Sequence, residues 1–258
     1  MLAEFPAAKI KAVFSDLDDT LTDHSQMLPS TYELLEQLKR AGKWLVIVSG
    51  RPAGWADCLM RLWPIDAMVF ENGAGVMVRD GKKIITTCLA NTHSVAEQKT
   101  ILESSFLRLQ KKIPHLKLAT DQGFRRFDYA IDFAEEPPFL SDAELNFVLR
   151  ELEATPEITH KLSSIHVNYW VGYHTKVTAC VYLLQTQGTT RGVTKDNVVY
   201  CGDSPNDESL FAYFPESVGV ANVRKYLPLM KALPKYITQN EGGRGFQEVA
   251  KSLLSPAG

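Results

Sequence analysis

The stretch Ala12-Val13-Phe14-Ser15-Asp16-Leu17-Asp18-Asp19-Thr20 decides the architecture. Its apolar opening reads as a short buried strand, and it closes in a run of acids. Working outward, a helix is expected from near Ser30, with Ser30 and Glu33 as a capping box. Leu34, Leu35 and Leu38 supply its apolar stripe and Gly42 its stop. A second buried strand, Trp44-Leu45-Val46-Ile47-Val48, runs into Ser49-Gly50-Arg51-Pro52, and Pro52 opens a helix through about Leu62. A third, Ala67-Met68-Val69-Phe70, runs into Glu71-Asn72-Gly73. Alternating strands and helices of this kind build a parallel sheet covered on both faces. Ligands of such sheets bind beyond the strand ends, where the polar residues cluster here.

After Gly73 the pattern changes. Val76-Met77-Val78 and Ile84-Ile85-Thr86, joined through Asp80-Gly81, predict a hairpin. A helix is expected over about 91–112. Phe127 to Phe133 alternates as a half-exposed strand does. Glu135-Glu136-Pro137-Pro138 is a break, and Ser141 to Glu144 caps a helix to Ala154. Ser164 to Trp170 reads as another strand. The α/β pattern then resumes with a helix from Thr175 to Gln187, stopped at Gly188, and a buried strand Asn197 to Cys201. That strand ends in Gly202-Asp203-Ser204-Pro205-Asn206-Asp207. The expectation is a Rossmann-like, doubly wound α/β core in two parts, residues 1–86 and 174–258, with an inserted α+β domain over 87–173.

Bulk composition narrows the classes. The chain has 258 residues, 45% hydrophobic and 22% charged, with a formal charge of −2. That suffices for a sizeable core and argues against disorder and a general nucleic-acid coat. Cys58, Cys88, Cys180 and Cys201 form no C-x-x-C pair, so free thiols are expected rather than a zinc knuckle or disulfide scaffold. The N-terminus carries Glu4 and Pro6 where a signal peptide needs an apolar run, and no apolar run approaches a membrane span. A cytoplasmic protein is expected.

The chemistry starts from Asp16 and Asp18. At i and i+2 on an extended chain they point the same way, and paired carboxylates need a shared proton or a cation. Hard divalent cations such as Mg²⁺ prefer carboxylate oxygen. Asp203 and Asp207 also follow a buried strand, so a parallel sheet brings all four acids to one edge. A calcium loop is excluded because the sixth position is Leu21 and the twelfth Met27. Ser49 and Gly50 offer a hydroxyl and amides suited to a phosphate oxygen. Lys176 can neutralise carboxylate or phosphate charge, whereas Lys195 lies before a strand, at the wrong edge. Among other site grammars, the phosphate loop, the dinucleotide fingerprint, the nucleophile elbow and H-E-x-x-H are all missing.

Taken in order, Asp16 to Thr20, Ser49-Gly50-Arg51, Lys176 and Gly202 to Asp207 resemble the four motifs of the haloacid dehalogenase-like hydrolase superfamily. The tail segments Val218-Gly219-Val220-Ala221-Asn222, Tyr236-Ile237-Thr238 and Gly242 to Phe246 fit as well. The insertion lies between the second and third motifs and resembles the type IIB cap of Cof-like and sugar-phosphate phosphatases. Val177 departs from the glycine that many relatives carry after the lysine.

The resemblance implies a phosphatase acting on a small phosphorylated metabolite, a sugar phosphate above all, with Mg²⁺ as cofactor. Asp16 would be the nucleophile, forming an aspartyl-phosphate, and Asp18 the acid and base. Mg²⁺ would be held by Asp16, the Asp18 carbonyl and Asp203. Asp207 would support the metal shell and orient Lys176, and Ser49 and Lys176 would hold the phosphoryl oxygens. Four carboxylates against Mg²⁺ and Lys176 leave one negative charge in excess, so Asp18 is expected to hold a proton. Gly50, Arg51 and Asn206 are candidate substrate contacts from the core. Arg125, Arg126, Asp128, His166, Asn168, Trp170 and His174 are candidates from the cap, where polar groups beside an aromatic ring suit a sugar. The rival expectations are a hexose-phosphate phosphomutase and a catalytically silent binding protein. No nucleic-acid or membrane partner is expected, and the protein should be a monomer or homodimer.

Overall fold

The computed structural model describes residues 5–90, 93–163 and 165–255. Its main sheet follows the order β11-β10-β9-β1-β2-β3-β4-β5. The parallel members are β1 (Ala12–Ser15), β2 (Trp44–Val48), β3 (Ala67–Phe70), β9 (Val198–Gly202), β10 (Glu216–Gly219) and β11 (Tyr236–Ile237). The first-read strand β1 lies between β2 and β9, pairing Phe14 with Val46 on one side and Tyr200 on the other. All of its residues are buried, because helices cover both faces and an apolar cluster lies on each. The expected hairpin, β4 (Gly75–Asp80) and β5 (Lys83–Cys88), extends this sheet antiparallel from β3.

Helix α1 (Pro29–Arg40) buries Leu34, Leu35 and Leu38 as expected. Its start differs from expectation. Leu28 occupies the cap position without a side-chain cap bond, and Pro29, with its pre-set φ, begins the helix, so Ser30 is already inside it. Helix α2 (Ala53–Leu62) follows Pro52.

The insertion has its own three-stranded antiparallel sheet in the order β6-β8-β7, from β6 (Asp128–Asp132), β7 (Ile158–Leu162) and β8 (His166–Val171). Helices α3 (Val95–Gln110) and α4 (Asp142–Glu153) pack on it through Leu102, Leu109, Val148 and Leu152, against Ile131, Val167 and Tyr169. Both helices start with a closed capping box, Ser94 with Glu97 and Ser141 with Glu144, as expected for the second. Helix α3 begins later than predicted, and Asn91 and Thr92 lie outside the described residues, as does Ser164 in the predicted β8. The half-exposed reading of β6 fails. Asp128, Ala130, Ile131 and Asp132 are buried, because one face meets the cap helices and the other meets the core.

The return to the core also differs in detail. Helix α5 (Lys176–Leu183) does not end at Gly188. A π-turn over Leu184–Gly188 carries it into α6 (Thr189–Arg191), and Gly192, at φ +60°, terminates it. Helices α7 (Glu208–Tyr213) and α8 (Gly242–Leu254) complete the core. Among the described residues no helix is long and apolar enough to cross a membrane. The four cysteines are free thiols.

Candidate active site

The parallel register of β9, β1 and β2 brings Asp203, Asp16 and Ser49 to the same sheet edge, Asp16 one residue beyond Ser15, and Asp203 and Ser49 two beyond its partners Cys201 and Ile47. Lys176 enters from the first turn of α5, where Thr175 caps the helix with Thr178. Its Nζ donates to Asp16 Oδ1 at 2.6 Å, to Asp207 Oδ1 at 2.9 Å and to Asn206 Oδ1 at 3.3 Å. The approach of that turn depends on Gly73. With φ at +106°, a Cβ there would lie 2.1 Å from the Thr175 carbonyl oxygen.

Oxygens of Asp16, Asp203 and Asp207 lie within 4.8 Å of one another, all three residues buried. Like charges at that separation repel by about 3–4 kcal/mol at an effective dielectric near 20. Burial, with Asp207 and Asp18 adding to it against Lys176, pushes Asp16 up to about 8. Burial beside Asp207 and Asp16 raises Asp203 well above the carboxylate range. Burial opposes the Lys176 charge, but Asp16 and Asp207 outweigh it and hold the ammonium firmly protonated. One lysine against three carboxylates leaves the cluster short of positive charge.

The three acids are not equivalent. Asp207 is fully engaged: Oδ1 accepts from Lys176 and from the Tyr200 hydroxyl at 2.6 Å, and Oδ2 from the amides of Asp203 at 3.0 Å and Ser204 at 3.3 Å. Among the described residues Asp203 accepts only from Asn222 Nδ2 at 3.1 Å and, longer, from Thr20 Oγ1 at 3.4 Å. Asp16 therefore keeps one oxygen, and Asp203 most of its lone pairs, for another ligand.

Asp18 faces the other way. The Arg51 guanidinium forks onto it through Nε at 3.0 Å and Nη2 at 3.0 Å. The same guanidinium reaches into the cap, to Asp121 Oδ2 at 3.1 Å and Glu135 Oε1 at 3.0 Å, and lies over the Trp55 ring. Burial opposes its charge, but Asp18 and Glu135 raise it further. Glu135 in turn meets His166 Nε2 at 2.7 Å, and that bond, with Arg51, holds its carboxyl near 2 against burial. Arg125 ties the cap back to the core, donating to Gly50 O at 2.9 Å as well as to Asp121 and Asp128.

A second clamp lies beneath. Glu71, fully buried, accepts from Ala53 N at 2.8 Å in the core and from Arg126, Phe127 and Asp128 N in the cap. Burial beside Asp128 pushes it up to about 7, against those amides. Glu71 and Asn72 both sit at positive φ, 45° and 55°, to make this turn.

Of the predicted residues, Asp16, Asp18, Gly50, Arg51, Arg125, His166, Asn168, Asp203 and Asn206 line one enclosed cavity, with Ser163, Ile165 and Ser204. Lys176 and Asp207 sit directly behind its acids. Ser49 is buried next to it, its hydroxyl accepting from Arg51 N at 3.0 Å. The space inside is about 20 Å³, room for roughly one water. His174 is a correction: it does not line the cavity, but stacks on Trp170 at 5.4 Å while its carbonyl accepts from Trp170 Nε1. Trp170, Asp128 and Arg126 likewise stay outside: Trp170 is core, Asp128 is held by Arg125 and Asn168, and the Arg126 amide serves Glu71. Sequence reasoning missed Glu71, Asp121, Glu135, Tyr200 and Asn222. Glu71 had a local signal in its place just after β3, and Asn222 in the Val218 to Asn222 segment; the other three had none.

The family model described as haloacid dehalogenase-like hydrolase matches residues 13–113. Over that stretch the chain is similar to these hydrolases, and the α+β insertion follows β5. It is similar to a phosphoglycolate phosphatase of Sulfurisphaera tokodaii, 22% identical over 94% of each chain. Its fold matches that of Thermoplasma acidophilum 0175, with a TM-score of 0.73 at 18% identity, over 95% of this chain and 99% of that one. It also matches a HAD subclass IIB sugar phosphatase, with a TM-score of 0.63 at 17% identity, over 94% of this chain and 97% of the other.

Proposed function

We propose that the protein is a Mg²⁺-dependent phosphatase that hydrolyses a small phosphorylated metabolite, a sugar phosphate above all, through an aspartyl-phosphate on Asp16. The observation that carries this is the Asp16 carboxylate, 2.6 Å from Lys176 Nζ, beside two further buried acids at the strand edge. The cap, residues 87–173 in this reading, covers that edge.

The donor set fits a hard divalent cation: it is all oxygen, buried, short of positive charge and incompletely hydrogen-bonded at Asp16 and Asp203. Asp16, Asp203 and the Asp18 carbonyl would hold it, while Asp207, with both oxygens engaged, positions Lys176 and the loop. Bound there, Mg²⁺ would offset the repulsion between the Asp16 carboxylate and a phosphate dianion. Asp16 then attacks phosphorus as the bond to the leaving oxygen breaks, and Asp18 gives that oxygen its proton. In the second half Asp18 takes a proton from the water that hydrolyses the aspartyl-phosphate. Lys176 and Ser49 hold the phosphoryl oxygens, and Asp18, whose two oxygens both accept from the Arg51 fork here, must leave that fork to carry its proton.

The cavity lining supports the sugar over phosphoglycolate. Its cations, Arg51 and Arg125, are both already paired with carboxylates, leaving none free for a substrate carboxylate, whereas Asn168, Ser163 and His166 suit hydroxyls. A cytoplasmic monomer or homodimer completes the reading. The test is phosphate release from a panel of sugar phosphates and 2-phosphoglycolate, with and without Mg²⁺. Turnover of sugar phosphates that needs Mg²⁺ and vanishes in Asp16→Asn supports the proposal. No turnover on any substrate, or Asp16→Asn matching wild type, refutes it. Isomer rather than phosphate from a hexose 1-phosphate would make it a mutase.

A further inference from the structure

A second cavity opens at the opposite edge of the main sheet, where β1 and β2 begin. It measures about 560 Å³, within the usual range for small-molecule sites. Lys11 lies five residues before Asp16 along β1, so the two cavities are separated by roughly 15 Å of strand. Four cations line it, Lys11, Lys39, Lys43 and Arg191, against the single acid Asp66. Lys39 pairs with Asp66. Among the described residues the others meet no carboxylate within ion-pair distance: Lys11 donates to Gly192 O at 3.1 Å, Lys43 to Ile10 O, and Arg191 to Gln187 O at 3.0 Å. The surplus of three positive charges stands out in a chain whose formal charge is −2.

Two further observations point to a ligand. Trp44 lines the cavity, with 4% of its surface exposed. The Arg191 guanidinium lies over the same ring at 5.2 Å, leaving an aromatic wall edged by cations. The cations exceed what the nearby backbone requires: each lysine carries three donors, and one carbonyl accepts from Lys11 and one from Lys43.

We propose that this cavity is a binding site for a small polyanion carrying a diphosphate or an equivalent pair of anionic groups, separate from the catalytic cavity. Lys11, Lys43 and Arg191 contact the anion. Binding needs no Mg²⁺, because the charge surplus is built from side chains.

The test is isothermal titration calorimetry of the whole protein with inorganic pyrophosphate, in EDTA at low salt. Without a divalent cation the acid-lined catalytic cavity repels the probe, so the expected result is one saturable site per chain. Lys43→Ala with Arg191→Ala should weaken binding at least ~10-fold, and so should Lys11→Glu, a single exposed change that spares the core. Asp16→Asn should leave it unchanged. No saturable binding, or binding that survives all these cavity variants, overturns the proposal. So does tighter binding in Asp16→Asn, because removing an acid from the catalytic cavity strengthens an anion held there and leaves one at the far edge unchanged. None of these outcomes depends on which substrate, if any, the catalytic cavity turns over.

Discussion

Acid should destabilise this protein through one side chain outside the catalytic chemistry, His174. Its ring is 8% exposed, stacks on Trp170 and leaves Nε2 buried without a partner. Burial alone lowers it from 6.5 to about 4. The folded value lies below the unfolded one, so the unfolded chain takes up the proton first. The stabilisation is complete above 6.5 and is lost as pH falls toward 4. Integrating between those values, a drop from pH 7 to about pH 4.5 costs about 2.5 kcal/mol through this ring. Carboxylates titrate over the same range, so the comparison must be between two proteins. His174→Phe keeps a ring against Trp170 and removes both the titration and the orphaned nitrogen. Urea unfolding of both proteins in EDTA at the two pH values reads the effect. The wild type should lose about 2.5 kcal/mol more than the variant. Equal losses in the two proteins would refute the reasoning.

Three other outcomes follow from the site and the clamps around it. Arg51→Ala takes the guanidinium from Asp18, which is partly solvated, and leaves Asp121 with Arg125 and Glu135 with His166, so thermal denaturation should show a loss of about 2–4 kcal/mol. Gly73→Ala drives a methyl into the Thr175 carbonyl at a φ that disfavours it, displacing the first turn of α5. Phosphate release should fall at least ~10-fold, and wild-type turnover would show that the Lys176 turn tolerates the shift. Tyr200→Phe removes the 2.6 Å donor from Asp207 and should cost about 1–3 kcal/mol in chemical denaturation.

The strands that carry the clustered acids were legible because each is a short apolar run broken by acids, and a parallel sheet permits one place for those acids, its C-terminal edge. The cap at Ser141 was legible because its bonds are local. Gly188 misled because a glycine signals a stop only where the chain must turn. Here a Cβ would meet Val193 O at 2.8 Å, so the glycine serves close packing inside a continuing helix, and the turn falls at Gly192. His174 misled because a histidine next to a motif lysine looks functional, whereas its stacking on Trp170 depends on the path between β8 and α5. The partners of Arg51 were beyond reach for a different reason. Asp121 and Glu135 lie 70 and 84 residues from it in sequence, and only the seating of the cap on the core brings them to its guanidinium.

The 20 Å³ cavity has a kinetic meaning. On the proposed function a phosphate ester needs more room than this, so its entry requires the cap to leave its contacts with Arg51, Gly50 and Glu71. Measured affinity is then the intrinsic affinity reduced by the scarcity of that form, tenfold for every ~1.4 kcal/mol by which the clamps favour closure. The side chains that shut water out of the chemistry therefore also set the concentration at which the enzyme responds to substrate. A loosened clamp would lower that concentration while admitting solvent to the cavity.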